Sequence, residues 1–386
     1  MGSGTVRDLL NTMSDNIDLL IAADSQKARL DKLTEDLDDP RLTTLLLDVS
    51  DEEALATALG DCDLCINGVP TFAGFQMSIF EACLKTRRTY VDYGGMGVYT
   101  VKQKAFHQEF ERAGVTAVLG LGADPGLSNI LCRAVADRLD TVDKINLYWT
   151  GTRVGGSESA LNPSYTLSTI LAEYANPSIQ FLDGELREMP PRSGEENLLL
   201  PEPFGPTTFM FTQHSEPLTV PFAQGIAEKG IREMTWRLAF PKPDHEAFLA
   251  LIRAGFGDYD TPVHIRGTSV KPLELLEAVI ARNLKNQPRE EAAYHDLHFA
   301  VGTGTREGHP LSVTARVIGR PHPLYEPFSD PATSMNMSIG VQQILSRPLR
   351  SGVWAPEEYF QVEPYLEDLK LRHFTVEFES RPLVGT

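Results

Sequence analysis

This sequence predicts an α/β fold: a Rossmann-type doubly wound parallel sheet, its first strand apparently missing, followed by an α+β domain of largely antiparallel sheet. Three observations predict it. Between residues 17 and 126, short apolar runs alternate with helical stretches, the pattern of parallel β-α-β units buried on both faces. Beyond about Asn129 the order changes to alternating strands, scattered helices and Gly/Ser/Pro-rich stretches, which suits an antiparallel sheet packed with helices. No apolar strand precedes Gly2 and Gly4, although a dinucleotide fingerprint requires one.

The elements follow in order. IDLLIAAD (17–24) is an apolar run ending in an acid and predicts a strand, with the charged stretch from Ser25 to about Asp38 as its helix. LTTLLLD (42–48) is the next strand, and DEEALATAL a short helix opened by acids, as the helix dipole favours. DLCINGVP (63–70), TYVDYGG (89–95) and TAVLGLGADPG (116–126) predict three more strands, separated by the helices FQMSIFEACLKT and VKQKAFHQEFERAGV. SNILCRAVADRL then reads as a helix and DKINLYWTG as a strand. Strands recur around 207–213, 231–240, 294–301 and 310–318, and helices near 164–174, 244–255 and 272–284. PHPLYEPFSDP (321–331) reads as a linker before a last helix, TSMNMSIGVQQILS, and a closing strand. The predicted domains are 1–128 (dinucleotide-binding), 129–325 (substrate and dimerisation) and 326–386 (a helix and strand returning towards the first).

Composition excludes several classes of protein. The 386 residues are 42% hydrophobic, with a net charge of −18. No Lys/Arg cluster offers the basic face that a nucleic-acid binder needs. No apolar run approaches the roughly 18 residues that span a bilayer, and MGSGTVRDLL lacks the basic flank and apolar core of a secretory signal. The expectation is a cytoplasmic protein without nucleic-acid or membrane partners. Cys62 and Cys65 form a C-x-x-C with no second ligand pair, so small packing residues are expected there. His214, His245, His295 and His298 share no ligand spacing, so no metal is expected. GTGT (302–305) has no helix behind it and reads as a turn.

The cofactor edge can be placed. With Gly2 as the last glycine of a fingerprint, Thr5–Leu10 becomes the helix body and Asp24 follows some 22 residues later, the spacing of an acid that accepts both ribose hydroxyls of NAD and repels the 2′-phosphate of NADP. An ordinary surface acid is the alternative. Asp24 and Ser25, Asp48 and Val49, and Asn67, Val69 and Pro70 end successive strands, and ligands of open α/β sheets bind along that edge. The missing strand predicts that the chain begins at an internal methionine of a longer protein and that this form binds NAD poorly.

These residues carry a family resemblance. "MGSGTVRDLL … LLIAAD" is similar to the opening of lysine 6-dehydrogenase-like members of the saccharopine dehydrogenase superfamily. INGVP (66–70) resembles that family's strand-end Pro loop beside the nicotinamide, and YVDYGG (90–95) its substrate-side loop, with Gly94 and Gly95. AGVTAVLGLGADPGLSNIL (113–131) resembles its most recognisable stretch, whose turn closes the active site and here contains Pro125, Gly126 and Asn129. EYANPSIQFLDGELREMPP (173–191) and GVWAPEEYF (352–360) resemble two later segments, so the similarity spans nearly the whole chain. It implies NAD(P)-linked chemistry on the CH–NH group of a lysine-derived amino acid, with lysine 6-dehydrogenase-like oxidation to a semialdehyde and a homodimer as the expectation. Saccharopine reductases of this superfamily usually carry Arg or Ser after the second strand and an Arg that clamps a substrate carboxylate. Asp24 and the Arg-free STILAEY helix depart from both. A saccharopine- or opine-type reductase and a non-catalytic remnant are the alternatives.

For chemistry, an ammonium must lose a proton before its carbon can give up hydride, so a carboxylate at the cleft is useful as base or anchor. Asp92 and Asp124 follow the fourth and fifth strands at one sheet edge. Asp124 could equally cap the helix after it, and Asp92 could be a turn residue. Tyr93 reads as acid/base or packing. Tyr165 and Asn162 follow the loop GTRVGGSESA (151–160), a mobile lid or plain linker, and could reach the cleft from the second domain.

Overall fold

The computed structural model describes all residues except 13–16, 96, 156–160, 259–260, 286–292 and 384–386. Its first described element is the helix Gly2–Thr12. The parallel sheet that follows is in two pieces. Strands β1 (Leu20–Asp24) and β2 (Leu42–Leu46) pair with each other, Asp24 opposite Leu46. Strands β3 (Leu64–Asn67), β4 (Thr89–Asp92) and β5 (Thr116–Val118) form a second parallel piece with β16 (Gly352–Trp354) at its far edge. No described strand bridges β1 and β3, the place a first Rossmann strand would fill.

The second domain is a nine-stranded mixed sheet. Its central strands β6 (Thr141–Val154) and β14 (Ala293–Arg306) are antiparallel, and β15 (His309–Gly319) and β17 (Thr375–Pro382) continue outward from β14. On the other side β11 (Glu233–Ala239) runs parallel to β6 and leads to β10 (Pro206–Phe211) and β9 (Glu196–Leu199). The hairpin of β7 (Ser178–Leu182) and β8 (Glu185–Met189) hangs from β11, and β12 (Val263–Ile265) and β13 (Thr268–Val270) make a separate hairpin. The period of two sorts the sheet's faces. Leu147, Trp149 and Ala300 join a core with Ile130, Leu131, Ala134 and Val135 of the helix Leu127–Ala136. Tyr148, Leu297 and Phe299 point the other way and pack on Phe209.

Several sequence expectations change. GTGT is not a turn: it runs inside β14, where the register shifts between Thr303 and Gly304. A Cβ on Gly304 would clash with the carbonyl of Thr141, and one on Gly302 would press within 3.1 Å of Val135, so both glycines serve close packing. The helix expected over VKQKAFHQEFERAGV (101–115) is two, Val98–Lys104 and His107–Ala113, and the fifth strand ends at Val118 rather than running to Gly126. The C-terminal segment divides its strands between both sheets, and its helix Pro331–Leu345 packs on Gly2–Thr12. There Thr5 Oγ1 donates to the Ser334 carbonyl (2.8 Å), and the Arg372 guanidinium grips Asp8 (2.7 Å).

Candidate active site

The expected cofactor residues lie along the edge where the parallel strands end. Gly2, Ser25, Asp48 and Pro70 are exposed there, and Val49 and Val69 are half-buried. The Asp24 carboxylate accepts the Gln26 N–H (2.8 Å) and stands 3.7 Å from the Arg29 guanidinium. Both groups remain open to solvent, so a sugar diol can reach the carboxylate. Asp48 is drawn inward locally by Ser50, whose hydroxyl donates at 2.7 Å and holds the acid below its usual range. Asn67 is buried, donating to Tyr90 (3.0 Å) and accepting from Val69 N–H (3.1 Å); it shapes the loop that Val69 and Pro70 present. Gly2 has open space where a Cβ would be, whereas Gly4 is pressed onto Ser334 and Phe328. This edge fits a dinucleotide at its ribose end, while the glycine turn that would hold a pyrophosphate has no strand leading into it among the described residues.

Asp92 does not face a substrate. Its Oδ1 accepts the Gly94 and Gly120 N–H groups (2.9 and 2.8 Å), and its Oδ2 accepts from Gln76 (2.6 Å), Tyr90 (2.8 Å) and Gln103 (3.0 Å). Burial pushes its pKa up, and these five donors oppose that. With both oxygens occupied, Asp92 braces the loops after β4 and β5, a correction to its expected catalytic role. The loops themselves touch: a Cβ on Gly94 would lie 2.6 Å from Pro125 and 2.7 Å from Gly120. Gly95 meets Thr71, and Gly126 abuts Gly122 too closely for any side chain. Tyr93 bonds Thr5 through their hydroxyls (2.7 Å), and burial raises its pKa, so it fastens the first helix to this edge.

Asp124 faces the second domain instead of capping the helix after it. That helix has Gly126 as its N-cap, whose N–H is taken by Asn129 Oδ1 (2.9 Å). Asn129 is itself buried and donates to Glu357 (2.8 Å), so it supports the turn from behind and is not a substrate contact. Asp124 Oδ2 lies 2.6 Å from His298 Nδ1, in contact but off the ring's N–H axis, and His298 Nε2 lies 2.9 Å from Asp296 Oδ2. The indole of Trp149, across the ladder from His298, donates to Asp296 Oδ1 (2.7 Å). Burial raises the Asp124 pKa against the pull of His298. Burial lowers that of His298, but the carboxylates on either side outweigh it and drive the imidazole well up. Asp124 Oδ1 is buried and has no hydrogen-bond partner among the described residues, so one carboxylate oxygen is left for a donor brought by a ligand.

A second acid–imidazole group closes the wall. Tyr165 donates to Glu173 and packs on Trp149 (5.7 Å between ring centres) and Phe240 (5.9 Å). Glu173 Oε1 lies 3.7 Å from His214 Nε2, and His214 Nδ1 lies 2.9 Å from Glu216 Oε2. Tyr165 thus reaches the wall from the second domain, whereas Asn162 is exposed. Half of the lid-or-linker stretch, 156–160, lies outside the described residues, and 151–154 belong to β6. Sequence reasoning missed Glu173, His214, Glu216, Asp296 and His298. The available signal was H-D-L-H at 295–298, where Asp296 and His298 share one strand face. Among the described residues no metal-ligand group forms. The cysteines at 62, 65, 83 and 132 are free and packed inside or half inside.

A strand edge suited to a dinucleotide, beside a buried acid–imidazole wall, defines a two-domain NAD(P)-dependent oxidoreductase. The chain belongs to the saccharopine dehydrogenase family: residues 1–118 match the saccharopine dehydrogenase NADP binding domain and residues 122–374 the saccharopine dehydrogenase C-terminal domain. It is similar to the carboxynorspermidine synthase of Vibrio alginolyticus, 27% identical over 80% of this chain and 75% of that one. It is also similar to the carboxyaminopropylagmatine dehydrogenase of Synechocystis sp., 24% identical over 69% of this chain and 67% of that one. Apo saccharopine dehydrogenase (L-Glu forming) from Saccharomyces cerevisiae shares the fold, with a TM-score of 0.74 over 99% of this chain and 98% of that one at 13% identity. These curated relatives carry polyamine-related names, not that of a lysine 6-dehydrogenase.

Proposed function

We propose that the chain is an NAD-dependent oxidoreductase acting on the CH–NH group of an amino-acid-derived amine that carries more than one positive charge. The observation that carries this reading is the excess of enclosed acid: among the described residues, the buried Glu173 and Glu216 and the largely covered Asp124 and Asp296 pair with the imidazoles of His298 and His214. Buried charge without a counter-charge is costly, so a cationic ligand is the natural complement. Asp124 Oδ1 would accept the N–H of the reacting nitrogen and hold its proton, with His298 keeping the negative charge of Asp124 and Asp296 in balance. A bound nicotinamide would supply the hydride acceptor. Asp24 would meet the ribose hydroxyls, which supports NAD over NADP.

The names of the relatives support the substrate class, since carboxynorspermidine and carboxyaminopropylagmatine each join a carboxyl group to several amines. Oxidation of lysine at its ε-carbon is the second reading, supported by the opening MGSGTVRDLL. The test is to offer the full chain carboxynorspermidine and L-lysine with NAD or NADP at millimolar concentration and to follow cofactor reduction. Faster turnover of carboxynorspermidine with NAD is expected. No turnover of either, with no binding of NAD or NADP by calorimetry, would sink the reading.

A further inference from the structure

We infer that His214 is a positioning residue for the reaction: it ties together two buried carboxylates, Glu216 and Glu173, and through Glu173 fixes Tyr165 against the Trp149 wall of the cleft. The inference rests on the proposed reading only in taking that wall to face the substrate.

Both acids are inaccessible, Glu216 at 0% and Glu173 at 2% exposure, and His214 is at 7%. The imidazole stacks on the Trp236 indole with ring centres 4.0 Å apart and 22° between planes, so it cannot swing away. Its two nitrogens face the two acids at 2.9 and 3.7 Å. Each acid turns its other oxygen to a group of the cleft. Glu216 accepts the Ser128 hydroxyl at 2.6 Å, four residues beyond Asp124, and Glu173 accepts the Tyr165 phenol. Tyr165 meets Trp149, Trp149 bonds Asp296, and Asp296 leads through His298 back to Asp124. The circuit closes on itself, with His298 touching the reacting end and His214 holding the far side.

The charged and titratable groups facing His214 are Glu216, Glu173 and, more distantly, Asp124; Cys132 faces Glu216. Burial pulls the His214 pKa down, but the two glutamates outweigh it and push it up to about 10, while Glu216 is held low. At neutral pH the imidazole is therefore a fixed cation, not a proton shuttle. Without it, two buried carboxylates would face each other and one would take up a proton. A protonated Glu173 can donate as well as accept, so the single arrangement in which Tyr165 donates to it is lost.

The experiment has two arms. In the first, nitrogen NMR of the full chain with labelled histidine should find one buried imidazole still doubly protonated at about pH 9, well above the ordinary histidine range, and its signal should vanish in His214→Gln. A neutral His214 at about pH 7.5 overturns the inference. In the second, kinetics with carboxynorspermidine and NAD should show Glu173→Gln losing about tenfold in kcat/KM, mainly through KM, with cofactor affinity within about twofold. His214→Gln should add an inflection to the kcat/KM profile between about pH 6 and 8, with activity recovering at the alkaline side. Combining it with Glu173→Gln should remove that inflection. A His214→Gln profile parallel to wild type, or wild-type constants for Glu173→Gln, overturns the inference. Should His214→Gln fail to fold, Glu173→Gln and the wild-type spectrum still decide. Should the wild type turn over neither carboxynorspermidine nor lysine, the proposed reaction fails, and the NMR arm decides the inference by itself.

Discussion

The two sheets of this molecule are built from similar strand sequences and end up in different physical states. In β1 and β2 no residue is fully buried, and each strand pairs on one side only. In β6 seven consecutive residues, Ile145–Gly151, are buried, and in β11 six are. Hydrophobic composition does not separate them; neighbours do. A strand whose partner is absent keeps its side chains half in water however apolar they are, and its backbone groups unpaired. The β1–β2 pair is thus the open part of the parallel sheet, while β6 and β11 are enclosed. The acid–imidazole wall stands on the enclosed side, and a pair this buried tolerates little displacement.

The largest expected effect tests whether the enclosed side carries the chemistry. Asp124→Asn should lower kcat/KM by about 10²- to 10⁴-fold, the scale of a lost proton-handling group, with the melting temperature little changed. Activity that survives while only the melting temperature falls would make Asp124 a structural residue and break the contrast. Next comes Asp92, the buried acid at the end of β4. Asp92→Asn replaces an oxygen that accepts several donors with an amide nitrogen that must donate, and should cost about 2–4 kcal/mol in urea unfolding while leaving kcat intact. A loss of kcat at unchanged stability would mean that Asp92 belongs to the reaction after all.

A pH effect of about 1–3 kcal/mol is expected from Glu357, buried behind Asn129, with one oxygen lacking a partner among the described residues. Burial raises its pKa to about 7. For an acid with a raised folded pKa, the stabilising contribution is complete below the unfolded value near 4.5 and is lost as pH climbs through about 7. Melting temperatures of Glu357→Gln should therefore vary less than wild type across that interval; identical slopes would dismiss the assignment. The smallest effect sharpens the cofactor side. Asp24→Ser should shift the preference for NAD over NADP by about tenfold, and steady-state rates in which wild type already uses NADP as well would remove Asp24 from the argument.

Much of the fold was legible in the sequence because its signals are local. Apolar runs alternating with helices gave away the parallel units. Asp124 could be singled out because ADPG follows β5 at the edge where such sheets bind ligands. Its partners could not. His298 and Asp296 arrive through strand pairing from more than 170 residues away, and Glu173, His214 and Glu216 come together only when β7, β10 and β11 are assembled. The role of Asp92 misled for a related reason. A strand-end acid looks the same in sequence whether its oxygens are free or filled, and only the positions of Gln76, Tyr90 and Gln103 tell the two apart.

The return of the chain to its beginning has a further consequence. The edge strand β16 and the helix Pro331–Leu345, which brace the first domain, come from more than 200 residues after it. A fragment cut near residue 128 would lose the partner of β5 and expose the face of Gly2–Thr12 that rests on Ser334. The first domain is therefore not a cassette that could be exchanged between proteins or expressed alone. Its folding depends on residues 331–372, and the two regions are expected to unfold together.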